Sequence, residues 1–238
     1  MPIYDNKTYI KIMRPIPKDW PLDIEGIPFV KKNAIDISNL NNGKWLISIT
    51  NAYSNDKNKT KKIIHCFKEN EELNRLYNNP YAFINKVCHY YASSTLDFGM
   101  HEGMKRAQII DATFKNRWSG VWQQINGQSK VAVTVGWVLP DTYDICFAGI
   151  EDGTLLLIST LSIHSERSIE RFLLGYKEMR KRFPSSQIIC LGNKIEGMDD
   201  DICYIEYENS FGIKDKYHEY WQPTMINWNG EEVNFDVF

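Results

Sequence analysis

The sequence lacks the local motifs that identify the common nucleotide-binding and hydrolytic sites. It contains no Gly-x-x-x-x-Gly-Lys-Ser/Thr phosphate loop, no Gly-x-Gly-x-x-Gly fingerprint and no Gly-x-Ser-x-Gly elbow. Its five His residues form no His-x-x-x-His pair, and its five Cys residues form no Cys-x-x-Cys pair. Local spacing therefore predicts no metal site and leaves any cofactor unknown, so a site must be sought in the arrangement of the fold.

The sequence also lacks the features that would place it in a membrane or on a polyanion. No apolar run approaches the length needed to cross a bilayer, and the first residues lack the basic start and apolar stretch of a signal peptide. The formal net charge is −2, so no overall positive field draws the chain to nucleic acid. An odd number of Cys residues without paired spacing fits a reducing compartment. We therefore expect a cytoplasmic protein without a strong sign of direct nucleic-acid binding, in which a local basic patch stays open.

Nearly continuous apolar runs are the strongest pattern in the sequence. Such runs suit strands that are buried on both faces, as in a parallel sheet covered by helices. Because helical patterns alternate with them, the sequence predicts an α/β fold with a mostly parallel sheet of about six or seven strands. The pattern leaves open whether the sheet stays open or closes into a partial barrel. The long runs lie at 131–137, 155–160 and 187–192, and shorter candidates lie at 45–50, 63–67, 92–98 and 202–206.

The helical segments and the irregular N-terminus set the expected domain organisation. Residues 1–43 carry five prolines with little periodicity, which predicts an irregular arm laid over the fold. We expect a single α/β domain over residues 44–238, with an edge strand near 233–237. Within the longest helical pattern, Gly120 predicts a bend or a break. Helices are predicted at 71–77, 81–90 and 101–126, and from Ser165 to the residue before Pro184.

Asp97 is the best single candidate for a catalytic residue. Ligands of α/β sheets and barrels gather beyond the carboxyl ends of the strands, and Asp97 lies near the end of the strand predicted at 92–98. A carboxylate there can act as a base, anchor a ligand or bind a metal. The alternative is that Asp97 caps the following helix by accepting hydrogen bonds from free backbone N–H groups. The sequence alone supports both roles.

Six further residues are candidates for ligand binding, and the polar ones have ordinary structural alternatives. Arg117 in the long helix can hold a phosphate or carboxylate through two hydrogen bonds, or it can form a solvated ion pair. Asp144 can act in catalysis, or it can simply favour the first turn of a short helix. Ser159 and Thr160 end a strand, where their hydroxyls can bind a polar ligand or satisfy the turning backbone. The six candidates are Asn116, Arg117, Trp137, Asp144, Ser159 and Thr160.

Short motifs spread over roughly residues 63–192 also form a recognisable set. They lie at 96–98, 116–123, 134–137, 143–150, 158–160 and 175–179, with Arg182 after the last. Together they resemble the domain-of-unknown-function family 4417, which occurs in bacteriophages, prophages and other mobile elements. The chain departs from that family's pattern at Leu96, where Pro is usual, and at Ala148, where Asp is usual. The resemblance implies an α/β fold and a phage or mobile-element origin, but it implies no activity and no catalytic residue.

Three functions are consistent with these features. The first is a phage or mobile-element accessory protein that acts through a protein partner in phage DNA replication, recombination or host takeover, in the host-cell cytoplasm. The mild acidity favours such a partner over direct DNA binding, and the aromatic tail at 217–228 offers contact residues. The second is a hydrolase or transferase that uses Asp97 and Arg117 on a nucleotide or a related phosphorylated ligand. The third is a binder that sequesters such a nucleotide without turning it over.

Overall fold

The fold is described by a computed structural model, which covers residues 6–38, 45–52, 56–127 and 129–206 and two short strands at 225–226 and 232–233. Its centre is a sheet of seven parallel strands, each paired with its neighbours in chain order. This arrangement confirms the predicted α/β class and the parallel pairing of the three long apolar runs. The strands are β1 Leu46–Ser48, β2 Ile63–His65, β3 Ala92–Ser94, β4 Val131–Thr134, β5 Leu156–Ser159, β6 Ile188–Leu191 and β7 Cys203–Ile205.

The sheet curves into a nearly closed, barrel-like ring. One buried cluster takes residues from all seven strands, as expected for side chains that face the interior of a barrel. Most of the alternate strand residues face outward and pack against the helices. No pairing joins β1 to β7 in the described part of the chain, so these strands are the two edges of the ring. The interior strand residues include Leu46, Ile63, Ala92, Ala132, Leu157, Ile189 and Ile205.

Six α-helices lie within the described ranges, and two of them differ from the sequence prediction. The helix α1 lies inside the segment that was predicted to be irregular throughout. The helix α4 begins at Arg106 and not at residue 101, because Gly103 has a φ of +90° and Lys105 is extended, neither of which is helical backbone. The helices are α1 Asn6–Met13, α2 Asn70–Asn78, α3 Pro80–Val87, α4 Arg106–Asn126, α5 Tyr143–Cys146 and α6 Glu166–Arg182.

The strand predicted at 92–98 also ends earlier than expected, at Ser94. The backbone N–H of Leu96 donates to the Ser119 hydroxyl of α4 at 2.9 Å, and not to a neighbouring strand. The Ser94 hydroxyl accepts from the Cys66 N–H at 3.0 Å, so a side chain takes a bond that the ladder would otherwise make. Asp97 therefore lies in the connection between β3 and α4, just beyond the carboxyl end of the strand.

Gly120 permits a close approach between α4 and the sheet. The helix runs unbroken through this position, so no break occurs there. A Cβ atom at Gly120 would lie 2.8 Å from Cγ2 of Thr95 and 2.9 Å from Cγ2 of Val30. Only glycine fits at this distance without displacing the side chains of Thr95 and Val30, so α4 lies tight against the end of β3 and the segment before β1.

The two ends of the chain are described to different extents. Near the N-terminus, Val30 donates its backbone N–H to the Gly149 carbonyl at 2.9 Å, and the Asn33 side chain exchanges hydrogen bonds with the backbone of Val131. Near the C-terminus, β8 Met225–Ile226 and β9 Glu232–Val233 pair antiparallel. The rest of the predicted edge strand and of the aromatic tail lies outside the described residues.

None of the helices in the covered ranges is long and apolar enough to cross a membrane.

Candidate functional site

A cavity of about 490 Å³ lies beyond the carboxyl ends of β3, β4 and β5. This volume is in the range that holds a drug-sized or nucleotide-sized molecule. The cavity is lined by residues that follow these strands and by one side of α6 near its start. Three of the residues selected from the sequence line it together, namely Asp97, Trp137 and Ser159.

Asp97 is held half-buried in the wall of this cavity. Burial raises the pKa of its carboxyl to about 6, although the charge of Arg117 and a hydrogen bond from the Thr134 hydroxyl oppose the shift. Because α4 begins only at Arg106, with Lys105 at its N-cap, Asp97 does not cap that helix. A carboxyl with a pKa near neutral can both accept and donate a proton, which is the property of a general acid or base.

Arg117 and Asn116 lie behind Asp97 in the core and do not line the cavity. The guanidinium of Arg117 donates to the backbone carbonyls of Ala148 at 2.8 Å, Cys146 at 2.8 Å and Thr134 at 3.2 Å. Its remaining partner is the side-chain oxygen of Asn116. Burial lowers the pKa of Arg117 to about 10, and the neighbouring Cys146 and Asp97 side chains oppose this. Arg117 thus ties α4 to β4 and α5, and it places a positive charge behind Asp97.

The other two candidates also lie away from the cavity lining. The Thr160 hydroxyl is buried and donates to the backbone carbonyl of Asn193 at 2.8 Å. Asp144 is exposed in the first turn of α5 and forms an ion pair with Arg106 at 3.2 Å. Their placement matches the structural alternatives that the sequence left open for them. Ser159, in contrast, faces the cavity while its hydroxyl donates to the Leu191 carbonyl at 3.2 Å.

The cavity also contains residues that sequence reasoning did not select. Phe67 follows β2, and Phe98 and His101 follow β3, so the rule of searching strand ends would find them if it were extended by a few residues. Arg171 and Phe172 belong to α6, and only the position of that helix in the fold brings them to the cavity. Phe172 belongs to the apolar side of the helical pattern, which predicts burial but not a place in the cavity, and no sequence signal marks Arg171.

The departures from the family pattern fall outside the cavity lining. Leu96 is fully buried among apolar residues of the core between the sheet and the helices. Ala148 packs against another buried cluster, and its backbone carbonyl accepts the hydrogen bond from Nε of Arg117. Neither residue lines the cavity. The two substitutions therefore leave the cavity's own side chains in place.

Trp137 forms the aromatic wall of the cavity, and Gly175 makes room for it. The Trp137 ring centroid lies 5.0 Å from that of Phe172 and 6.0 Å from that of Phe147. A Cβ atom at Gly175 in α6 would overlap the indole ring. The position of Trp137 therefore depends on the absence of a side chain at residue 175.

We expect the substitution Gly175→Ala to displace Trp137 and to destabilise the protein. Overpacking of this kind costs about 1–3 kcal/mol, which lowers the melting temperature by about 2–4 °C per kcal/mol in a chain of this size. Thermal unfolding measures the effect. The matched control is Gly136→Ala, because a Cβ there would meet only Cε of Met100 at 3.5 Å, an ordinary contact. Equal melting temperatures for the two variants would contradict this account of the wall.

Among the described residues, no group of three or more His, Cys, Asp or Glu side chains is arranged to hold a metal ion. The cavity nevertheless combines two carboxyls, those of Asp97 and Glu102, with four aromatic side chains and several hydroxyls. The aromatic side chains are Phe67, Phe98, Trp137 and Phe172. This combination suits a ligand with a planar ring and polar substituents.

Comparison with known proteins gives a family and two phage relatives. The family described as Domain of unknown function (DUF4417) matches residues 25–208. The Gene 1 proteins of Mycobacterium phage D29 and Mycobacterium phage L5 are each 28% identical over 130 residues, which is 54% of this chain. The match covers 48% of the D29 protein and 56% of the L5 protein, so the chain spans about half the length of these relatives. No solved structure matches the chain.

Proposed function

Because the chain belongs to the DUF4417 family and the matched residues include the whole cavity lining, we propose that the cavity is the active site of this phage-related protein. The proposed activity is that of a hydrolase or transferase acting on a nucleotide or a related phosphorylated ligand. The observation that carries the proposal is the half-buried carboxyl of Asp97, whose pKa is raised to about 6 in the wall of the cavity.

The proposed chemistry uses Asp97 to move one proton. In hydrolysis, its carboxylate accepts a proton from water as the water oxygen attacks the electrophilic carbon or phosphorus of the ligand. The same proton then passes from Asp97 to the leaving group as the old bond breaks. In a transfer reaction, a hydroxyl or amine of the second substrate takes the place of water. Arg117 supports Asp97 from behind by fixing β4 and α5 and by favouring the carboxylate form.

The lining of the cavity supports a ligand with a ring and polar groups. Trp137 and Phe98 offer faces or edges on which a base can pack, and the Ser159 hydroxyl adds a polar contact. The site lies at the end of the barrel where catalytic residues of parallel α/β barrels gather. These features favour the enzyme over a protein whose only role is to contact a partner.

The test is a thermal-shift screen of nucleoside mono-, di- and triphosphates, repeated on the variant Trp137→Ala. A nucleotide present at about 100 times its Kd is expected to stabilise the parent by about 2.7 kcal/mol. The shift should be smaller for Trp137→Ala, measured against that variant's own unliganded melting temperature. The control is Trp20→Ala, which removes a half-buried Trp that does not line the cavity. The absence of any shift in the parent, or equal shifts in both variants, would contradict the proposal.

A second candidate function is that of an accessory protein acting through a protein partner, in the host-cell cytoplasm, in replication, recombination or host takeover. The observation that favours it is a set of large apolar side chains on the N-terminal segment, with Ile12 63% and Ile24 fully exposed. Pull-down from infected cells with the parent and with Ile24→Asp tests it. A partner lost on that substitution alone would support this function, and a partner retained by both would not.

A third candidate, sequestration of a nucleotide, shares the cavity but not the chemistry. It differs from the enzyme in one measurable respect, because the bound nucleotide would be recovered unchanged after prolonged incubation. Mass spectrometry of the nucleotide after incubation with the parent separates the two functions. Recovery of a product would support the enzyme, and recovery of intact nucleotide alone would support sequestration.

A further inference from the structure

Two arginines of α6 share one carboxylate at the edge of the cavity. Nη2 of Arg167 lies 3.0 Å from Oε1 of Glu102, and Nη1 of Arg171 contacts the other carboxylate oxygen, Oε2. Arg167 and Arg171 are four residues apart, so they lie on the same face of the helix. Glu102 belongs to the loop that joins β3 to α4. A single carboxylate thus connects this loop to α6.

This ion-pair cluster forms part of the cavity wall. Glu102, Arg171 and Ser168 line the cavity, whereas Arg167 lies just outside the lining. The cluster holds two positive charges against one negative charge, which leaves an excess positive charge beside the cavity. Burial would raise the pKa of Glu102, but its hydrogen bond from Arg171 and the charge of Arg167 outweigh this and hold the pKa below its ordinary value. Glu102 is therefore ionised at neutral pH.

We propose that Arg167 and Arg171 form the binding site for the phosphate of the ligand, and that Glu102 occupies this site until the phosphate displaces it. The inference rests on the proposed function for the presence of a phosphorylated ligand. A phosphate brings more negative charge and more acceptor oxygens than one carboxylate, and two guanidinium groups match it in planar, paired hydrogen bonds. The displaced Glu102 returns to solvent, which costs little because it is already 37% exposed on its side chain.

The loop that carries Glu102 has the backbone to allow this exchange. Gly99 and Gly103 flank the part of the loop that passes along the cavity. Gly103 has a φ of +90°, which only glycine adopts readily. A Cβ at Gly103 would meet no atom within 4 Å, so the chain faces open space on that side of this residue. Because the loop follows directly from Asp97 and Phe98, its movement would couple binding of the phosphate to the position of the catalytic carboxyl.

The experiment is a calorimetric titration of inorganic phosphate and pyrophosphate into the parent, Glu102→Gln and Arg171→Gln. Removing the competing charge in Glu102→Gln should tighten phosphate binding about tenfold, and Arg171→Gln should weaken it at least about tenfold. The matched control is Glu178→Gln, which removes a carboxylate paired with Arg182 on the same helix at 2.8 Å. Glu178 does not line the cavity, and its variant should bind phosphate as the parent does.

The outcomes separate this inference from the proposed function. Unchanged phosphate affinity in Glu102→Gln, or retained affinity in Arg171→Gln, would overturn the assignment of the phosphate site. Arg171→Lys keeps the charge but loses the paired hydrogen bonds, so intermediate affinity in this variant shows that loss in Arg171→Gln is not a failure to fold. If nucleotides still stabilise the parent through Trp137, the proposed function survives the loss of this site. If phosphate binds through Arg171 but no nucleotide binds at all, the phosphate site stands and the proposed function fails.

Discussion

Replacing Asp97 by Asn is expected to slow turnover of the ligand strongly while making the fold more stable at neutral pH. Asn keeps the shape of the side chain but can neither accept nor donate the proton that the reaction requires. A general acid or base contributes about 10²- to 10⁴-fold to a rate, so turnover should fall at least about a hundredfold. Binding of the nucleotide should survive, because the aromatic wall and Arg171 remain in place.

The pH dependence of stability follows from the raised pKa of Asp97. Burial raises the folded-state pKa to about 6, above the value of 3.8 for the unfolded chain. The folded protein therefore binds this proton more tightly than the unfolded chain does. The parent is most stable with respect to this group below pH 3.8, loses stability as the pH rises toward 6, and stays at the lower level above it. Asp97→Asn carries no charge to bury, so it avoids this loss.

Thermal unfolding of both proteins between pH 3 and pH 8, which spans the two pKa values, measures the effect. The melting temperature of Asp97→Asn should exceed that of the parent above pH 6, and the difference should shrink toward pH 4. The control is Asp111→Asn on the exposed face of α4, whose ion pair with Lys115 is solvated and worth little. A variant that melts below the parent at pH 7.5 would show that the charge of Asp97 stabilises the fold. Full turnover in the variant would remove Asp97 from the chemistry.

Replacing Arg117 by Met is expected to cost about 3–5 kcal/mol of unfolding free energy, the range seen when a buried charge network is broken. The substitution keeps much of the apolar volume but removes all the donors of the guanidinium. The carbonyls of Ala148, Cys146 and Thr134 would then be left without these partners inside the core. The buried carboxyl of Asp97 would also lose the positive charge that opposes its pKa shift.

Chemical denaturation of the variant and the parent measures this loss. The matched control is Arg75→Met, because Arg75 and its partner Glu71 are mostly exposed, and such a pair is worth about 0–1 kcal/mol. Arg117→Lys keeps the charge but not the planar set of donors, so it should fall between the parent and Arg117→Met. If Arg117→Met were as stable as Arg75→Met, the structural role of Arg117 would be refuted. Arg117 would then return as a candidate for ligand binding.

The fold class and the parallel arrangement of the strands follow from the sequence because each long apolar run is buried on both faces. A strand such as β5 or β6 has no polar alternation, so both faces of its sheet must be covered, either by helices on both sides or by helices outside a closed ring. The curvature into a ring was not predictable, since it depends on how the interior side chains of all seven strands pack together. Small residues such as Ala92 and Ala132 contribute to this interior, and their sequence pattern does not distinguish a ring from a flat sheet.

The site was predictable only where it depends on strand ends. This rule selected Asp97, Trp137 and Ser159, which the structure brings to one cavity, and also Thr160, which lies outside the cavity lining. It gave no information on Arg117, because the apolar residues that recur at helical spacing in this segment include Trp118, and the preceding residue then lies on another face of the helix. In the structure, residues 116–123 are all buried, since the sheet, α5 and the N-terminal segment cover α4 from several sides. The contact of Glu102 with α6 depends on the path of one loop, which no periodicity encodes.

If the cavity beside Asp97 binds and turns over a phosphorylated ligand, a bound nucleotide should lie inside it. The measurement is a crystal structure of Asp97→Asn with the nucleotide that gives the largest thermal shift, since this variant should bind without turnover. We expect that the base packs against Trp137, that the phosphate contacts Arg171 with Glu102 displaced, and that the reacting atom lies beside residue 97. A nucleotide bound at any other surface, with the cavity empty, would contradict it.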